Sequence, residues 1–253
     1  MSSIKKLINT VKKLRSPDGC EWDRKQTHET LVPYLLEETY EVIEAIENKD
    51  FIALKEELGD LLLHVIFQAD LAEDSKNFSL EDSINNVNEK LINRHPHVFD
   101  NINNKTWEKG NWESQKQKEK KRESILDGIP IALPALLRAR RIQEKAASVG
   151  FDWDKKDQVF SKIEEEVNEL KEALNSNNGI EEELGDVLFS VVNLSRHLNL
   201  DPEKMLKLSI EKFSKRFKRI EKDLKNKNIE MQNLTLNELD EIWEKNKLSE
   251  KKI

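Results

Sequence analysis

One cysteine, Cys20, is all the sequence holds, so no disulfide forms within the chain and a reducing cytoplasm is its expected home. Glycine and proline are scarce too, 7 and 6 among 253 residues, and aromatic side chains make up only 6%. That leaves too little turn chemistry for a β-sandwich, which needs a turn signal about every ten residues. No apolar run approaches the roughly 20 residues of a membrane span. The first apolar positions, Ile4, Leu7 and Ile8, are broken by lysines and do not read as a secretory leader. Excess charge of one sign is small, 42 basic against 49 acidic residues for a net −7, which argues against a surface devoted to nucleic acid or anionic lipid. What is plentiful is charge itself, at 36%, beside 37% hydrophobic residues. That is the composition of an all-α protein, and the length suits one large or two small domains.

Apolar residues recur at helical spacing from Ile4 to Leu14, up to the turn signal Ser16-Pro17-Asp18-Gly19. The same period predicts helices over 31–48, 51–73, 80–93, 133–149, 158–175, 180–198, 202–226 and 236–247. Residues 112–122 are polar and lysine-rich, without apolar period, and prolines follow at 130 and 134. Self-comparison shows a duplication. Trp22-Asp23 is echoed by Trp153-Asp154, Glu37-Glu38-x-x-Glu41 by Glu165-Glu166-x-x-Glu169, and Glu56-Glu57-Leu58-Gly59-Asp60 by Glu182-Glu183-Leu184-Gly185-Asp186. Lys90 and Arg94 parallel Lys212 and Arg216, and Trp112-Glu113-x-x-Lys116 parallels Trp243-Glu244-x-x-Lys247. The expected organisation is an N-terminal domain over 1–122, a linker over 123–132 and a C-terminal domain over 133–253.

In the second copy Ile163, Val167, Leu170 and Leu174 form one stripe, and Leu184, Val187, Leu188 and Val191 form another on the next helix. At about 100° per residue, Glu166 and Glu169 flank the first stripe on the same rotational side as Glu183 and Asp186 flank the second. The four-residue connection 176–179 makes the helices antiparallel neighbours. With the stripes facing each other, the four carboxylates meet along one edge of the hairpin. Glu38, Glu41, Glu57 and Asp60 repeat this in the first copy. Converging carboxylates repel, so a cation is expected, and oxygen-only donors suit Mg²⁺ or Mn²⁺. A di-iron bundle would want Glu-x-x-His, which none of the five histidines provides. A single acidic face is more often a solvated, salt-bridged surface; the recurrence in both copies favours a metal site. Gly59 and Gly185, each costing about 1 kcal/mol against Ala in mid-helix, suggest a close approach by another helix or a ligand.

These motifs resemble the MazG nucleoside triphosphate pyrophosphohydrolases of the all-α NTP pyrophosphatase superfamily, whose signature is Glu-Glu-x-x-Glu, a spacer and Glu-x-x-Asp. The resemblance covers both copies. It implies two tandem MazG-like helical domains with acidic helices packed as antiparallel bundles, a homodimer, and Mg²⁺-dependent hydrolysis of NTPs and dNTPs to monophosphate and pyrophosphate as nucleotide house-cleaning. It makes Glu166, Glu169, Glu183 and Asp186 metal ligands and assigns Lys162, Lys212, Arg216 and Trp243 to the nucleotide, with Glu165, Glu182 and Asp186 beside them. It also implies that the C-terminal copy does the chemistry, and that the N-terminal copy is structural or inactive. Gly179 departs from the pattern, where two-copy relatives can offer a lysine.

In that chemistry a water deprotonated by Glu165 or Glu166 attacks the α-phosphorus, while Lys212 and Arg216 neutralise the outer phosphates. Trp153 and Trp243 are candidates to stack on the base, although either residue type is more often core. His95-Pro96-His97 reads as a turn rather than a metal pair. The rival from another class is a helical scaffold whose acid clusters only bind partners.

Overall fold

A computed structural model of the chain describes residues 2–99 and 122–250, and among them every regular element is a helix. The chain divides into two compact units, Met1–Thr106 and Trp107–Ile253. Trp112, Glu113 and Lys116 lie outside the described residues.

The first unit holds α1 (Ser3–Leu14), α2 (Glu21–Arg24), α3 (Val32–Asn48), α4 (Phe51–Asp74), α5 (Leu80–Arg94) and α6 (Pro96–Phe99). Helix α3 closes on Lys49 in the left-handed region, and Asp50 opens α4 by accepting from the amides of Ile52 and Ala53 at 3.0 and 3.1 Å. A turn that short holds α3 and α4 side by side. Helix α1 lies across α4, where Val11 joins Leu31, Ile66 and Phe67 in a core flanked by Leu7, Ile8 and Leu63. Each such side chain contributes about 1.5–3 kcal/mol by leaving water. At the rim, Arg15 binds Asp70 and Asp74, and Lys12 binds Glu73 at 2.9 Å. His95 caps the end of α5 with its ring nitrogen on the Leu91 carbonyl, and α6 follows where the sequence suggested a turn.

The second unit holds α7 (Ala135–Ala147), α8 (Lys156–Ser176), α9 (Ile180–His197), α10 (Pro202–Asn226), a 3₁₀ turn (Met231–Asn233) and α11 (Leu236–Glu250). Helices α8 and α9 form the most extensive pair, α7 packs on α9 and α10, and α11 packs on α10. The α8–α9 turn uses Asn177 at φ 51° and Gly179 at φ 74°. The left-handed backbone at 179 favours glycine and would strain a lysine, which accounts for the departure noted above. Gln143 of α7 donates to the Phe189 carbonyl at 2.9 Å, and the buried Lys145 ammonium donates to the carbonyls of Ile125 and Asp127 at 2.8 and 3.0 Å.

Two expectations are overturned. The leucine stripes do not face each other: Leu184 and Leu188 are 49% and 54% exposed, and Leu174 is exposed as well. The seam between α8 and α9 is instead built on Val159, Glu166 and Ala173, seven residues apart, against the face of α9 that carries Glu183 and Ser190. Small side chains at 173 and 190 let the two helices approach, whereas the bulky leucines would hold them apart. Leu31, Glu38 and Ala45 repeat the arrangement in the first unit, opposite Glu57 and His64. The second correction concerns the helix half of the expectation for Gly59 and Gly185: a Cβ at either would meet nothing within 4 Å, so among the described residues no other helix approaches them, which leaves a ligand as the other half of that expectation.

Candidate metal and nucleotide site

The seam places acids where the packing is tightest. In the second unit single carboxylate oxygens of Glu166, Glu183 and Asp186 lie within 4.8 Å of one another. Glu166 is only 6% exposed, an unusual position for an acid. Its Oε1 accepts a 2.8 Å ion pair from Lys162, one turn earlier on α8, and Lys162 also reaches Glu165 at 2.8 Å. These two hydrogen bonds raise the Lys162 pKa, so the lysine stays charged. Glu169 stands outside the tight group. Desolvation first, then the charges of Glu166 and Glu183, push its carboxyl above the ordinary range, against the pull of Lys162. Glu182 sits exposed in the first turn of α9 between Glu181 and Glu183, where the helix dipole favours negative charge.

Three carboxylates against one lysine leave negative charge in a half-dry seam. All donors are hard oxygens, and the residues fit a small divalent cation such as Mg²⁺ or Mn²⁺.

Lys212, Arg216 and Trp243 form a second group on α10 and α11. The Arg216 guanidinium lies 5.7 Å from the Trp243 ring centroid, and Phe213 packs on the same ring at 5.1 Å. Lys212 is exposed one turn before Arg216. Trp153 is largely exposed in the turn before α8, next to Asp152, which Arg196 and His197 bind from the end of α9. Those bonds, the one from Arg196 above all, hold the Asp152 carboxyl below its ordinary value.

The first unit draws Glu38, Glu41 and Glu57 together within 4.8 Å. Desolvation leads in raising both Glu38 and Glu57; Asp60 adds most to Glu38 among the charges, and Glu41 to Glu57. The copies differ at two positions the sequence reading passed over. Where Lys162 stands four residues before Glu166, Tyr34 stands four before Glu38, its ring edge on Trp22 at 5.8 Å. Where Ser190 stands four after Asp186, His64 stands four after Asp60, and both are buried. The i+4 spacing from the aspartate was the available signal.

The model of the MazG nucleotide pyrophosphohydrolase domain matches this chain twice, over residues 26–99 and 155–220, and each match spans one acid seam. The chain belongs to the MazG family. Among named relatives, the nucleoside triphosphate pyrophosphohydrolase/pyrophosphatase MazG of Thermotoga maritima is 51% identical over 246 residues, covering 96% of this chain and 95% of that protein. The nucleoside triphosphate pyrophosphohydrolase of Escherichia coli K12 is 41% identical and covers 99% of both. One of the same name from Mycobacterium tuberculosis is 39% identical over 132 residues, 51% of this chain and 41% of that protein. The likeness to the first two of these relatives extends over nearly the whole chain.

Proposed function

We infer that this chain is a nucleoside triphosphate pyrophosphohydrolase, cleaving NTPs and dNTPs between the α and β phosphates, and that its C-terminal copy does the chemistry. The observation that carries this reading is the buried Glu166 meeting Glu183 and Asp186 in the seam of a MazG domain. Glu166, Glu183 and Asp186, with Glu169 at their edge, would hold Mg²⁺. Bound there, a divalent ion supplies charge neutralisation for a triphosphate of about four negative charges.

The chain's own groups account for the rest. Glu165 is exposed beside the seam and oriented by Lys162, which suits it to take a proton from water as the water oxygen bonds to the α-phosphorus. The bond from that phosphorus to the α,β-bridging oxygen breaks, and pyrophosphate leaves with the electron pair. Glu166, ion-paired and buried, suits ligation better than proton transfer. Lys212 and Arg216 offer charge to the outer phosphates, and Trp243 a face for the base. Glu182 stands exposed beside Glu183 in the first turn of α9. In the N-terminal copy, Tyr34 in place of Lys162 supports a structural or inactive role for Glu38, Glu41, Glu57 and Asp60.

The exposed leucines of α9, with Tyr40, Ile46 and Leu62 in the other unit, support a homodimer in which a second copy covers both apolar faces. Among the described residues no helix is long and apolar enough to cross a membrane, and the exposed, unpaired Cys20 suits a reducing cytoplasm. House-cleaning of the nucleotide pool is the role that fits.

The test is product analysis with each NTP and Mg²⁺. Pyrophosphate should appear before any orthophosphate, a time order that separates the first cleavage from the pyrophosphatase activity in the Thermotoga relative's name. Glu183→Ala should stop release with helicity unchanged, whereas Glu57→Ala should leave most of it. Equal losses would move the chemistry to both copies, and release of neither product would return the chain to the scaffold reading.

A further inference from the structure

We propose that the outward face of α10 binds a single-stranded nucleic acid through its phosphates, along a row of five cations: Lys215, Lys218, Arg219, Lys222 and Lys225. All five are exposed. At about 100° per residue they fall within about 120° of one another around the helix. That arc lies opposite the buried line of Pro202, Ile220 and Leu224, by which α10 packs within its unit. The acids of the same turns, Glu221 and Asp223, fall outside the arc on either side.

A solvated helix face mixes both signs and pairs them, as Lys25 with Glu21, Lys162 with Glu165 and Lys247 with Glu244 do elsewhere in the chain. This row does neither. Glu221 stands three residues after Lys218 and four before Lys225, in register for both, yet pairs with neither; among the described residues none of the five cations has an anionic partner. They are instead neighbours of one another at i+3 and i+4, a spacing at which like charges destabilise a helix. A chain of net −7 has acids in excess to quench them. Five unquenched cations on one face therefore point to an anion from outside.

The duplication supplies an independent comparison. Arg94 and Arg216 correspond, but α5 ends at Arg94 whereas α10 continues to Asn226. Lys218, Arg219, Lys222 and Lys225 thus ride on turns that α5 does not have, and Lys215 matches Asn93. None of the five is assigned to hydrolysis, so the inference holds whichever copy performs it.

The shape and content of the row select the partner. From Lys215 to Lys225 it runs about 15 Å along the helix axis, and lysine ammonium groups address phosphates as point charges rather than base edges. A lipid surface would call for apolar side chains among the cations, and between 215 and 225 the arc holds none. A duplex is a convex cylinder that meets a convex helix over few phosphates, whereas a flexible single strand follows the row.

The experiment titrates the full chain, in EDTA, against a labelled oligouridine of about 16 nucleotides with a 5′-hydroxyl end. Fluorescence anisotropy should show binding at about 50 mM salt, with log K falling against log salt at a slope of about −3.5 for five phosphate contacts. Lys218→Gln, Lys222→Gln and Lys225→Gln together should weaken binding about tenfold or more and make the slope shallower by about 2. Lys218→Arg, Lys222→Arg and Lys225→Arg together should keep both values. Pyrophosphate release with Mg²⁺ should be unchanged in the two triple variants, which shows each of them folded. No binding at that salt, binding that survives the glutamine variant, equal or tighter binding of a duplex of the same length, or retention on phosphatidylserine vesicles in place of the strand overturns the proposal.

Discussion

Replacing Glu183 by glutamine should abolish hydrolysis and, without metal, make the C-terminal unit more stable. Two unit charges 4.8 Å apart, the outer limit for this cluster, repel by about 0.9 kcal/mol in water and about 3.5 kcal/mol at an effective dielectric of 20. Glu183 enters two such pairs, with buried Glu166 and with exposed Asp186. The Asp186 pair belongs near the aqueous figure, and Lys162 offsets part of the Glu166 charge. Their removal should therefore stabilise by about 2 kcal/mol, worth about 4–8 °C in Tm for a unit of this size. Calorimetry in EDTA should show Glu183→Gln melting above wild type. On adding Mg²⁺ the order should reverse, because only wild type gains binding free energy. A glutamine variant that melts below wild type in EDTA would refute the reasoning. It would mean that hydrogen bonds, rather than an absent cation, stabilise the cluster.

Other outcomes follow from the geometry. Lys162→Met removes two charge-assisted hydrogen bonds at 2.8 Å and should lower kcat by about 10–100-fold, measured by pyrophosphate release at saturating NTP. Arg216→Met loses the cation over Trp243; kinetics should show a KM raised about 3–30-fold with kcat nearly kept. Arg196 holds Asp152 below its ordinary 3.8, so the stability from that pair is full above 3.8 and lost as pH falls through the depressed folded value. Asp152→Asn should thus melt below wild type at about pH 6, and the gap should close only as the pH is taken below 3.8; a gap that widens contradicts the linkage. Leu188→Asp places a charge on the exposed face of α9, and sedimentation should show the proposed dimer weakened or lost.

Much of the fold was legible because its punctuation is chemical. Asp50, Ser79 and Asp201 accept from the first amides of their helices, and those starts fall where the apolar period begins. The acid repeats also pointed to two seams, since spacing fixes which residues share a helix face. The rotation of each pair was not legible. Hydrophobicity argues for leucine against leucine, but close approach selected the line of Val159, Glu166 and Ala173 and left Leu184 and Leu188 outside. A single chain's pattern does not record which apolar face its own helices leave uncovered. Lys162 was assigned through the family resemblance, whereas its counterpart Tyr34 drew no reading and His64 was set aside with the other histidines for lacking a Glu three residues before it; only position within the seam gives them meaning.

The acid line midway along each helical hairpin has a consequence for engineering. Val159 and Ala173 grip the pair above and below, so Glu166 works as an electrostatic wedge inside an otherwise sound joint. Substituting leucine there should yield a scaffold indifferent to ionic supply, whereas grafting an acid onto the central rung of an unrelated antiparallel hairpin should make its rigidity answer to dissolved magnesium.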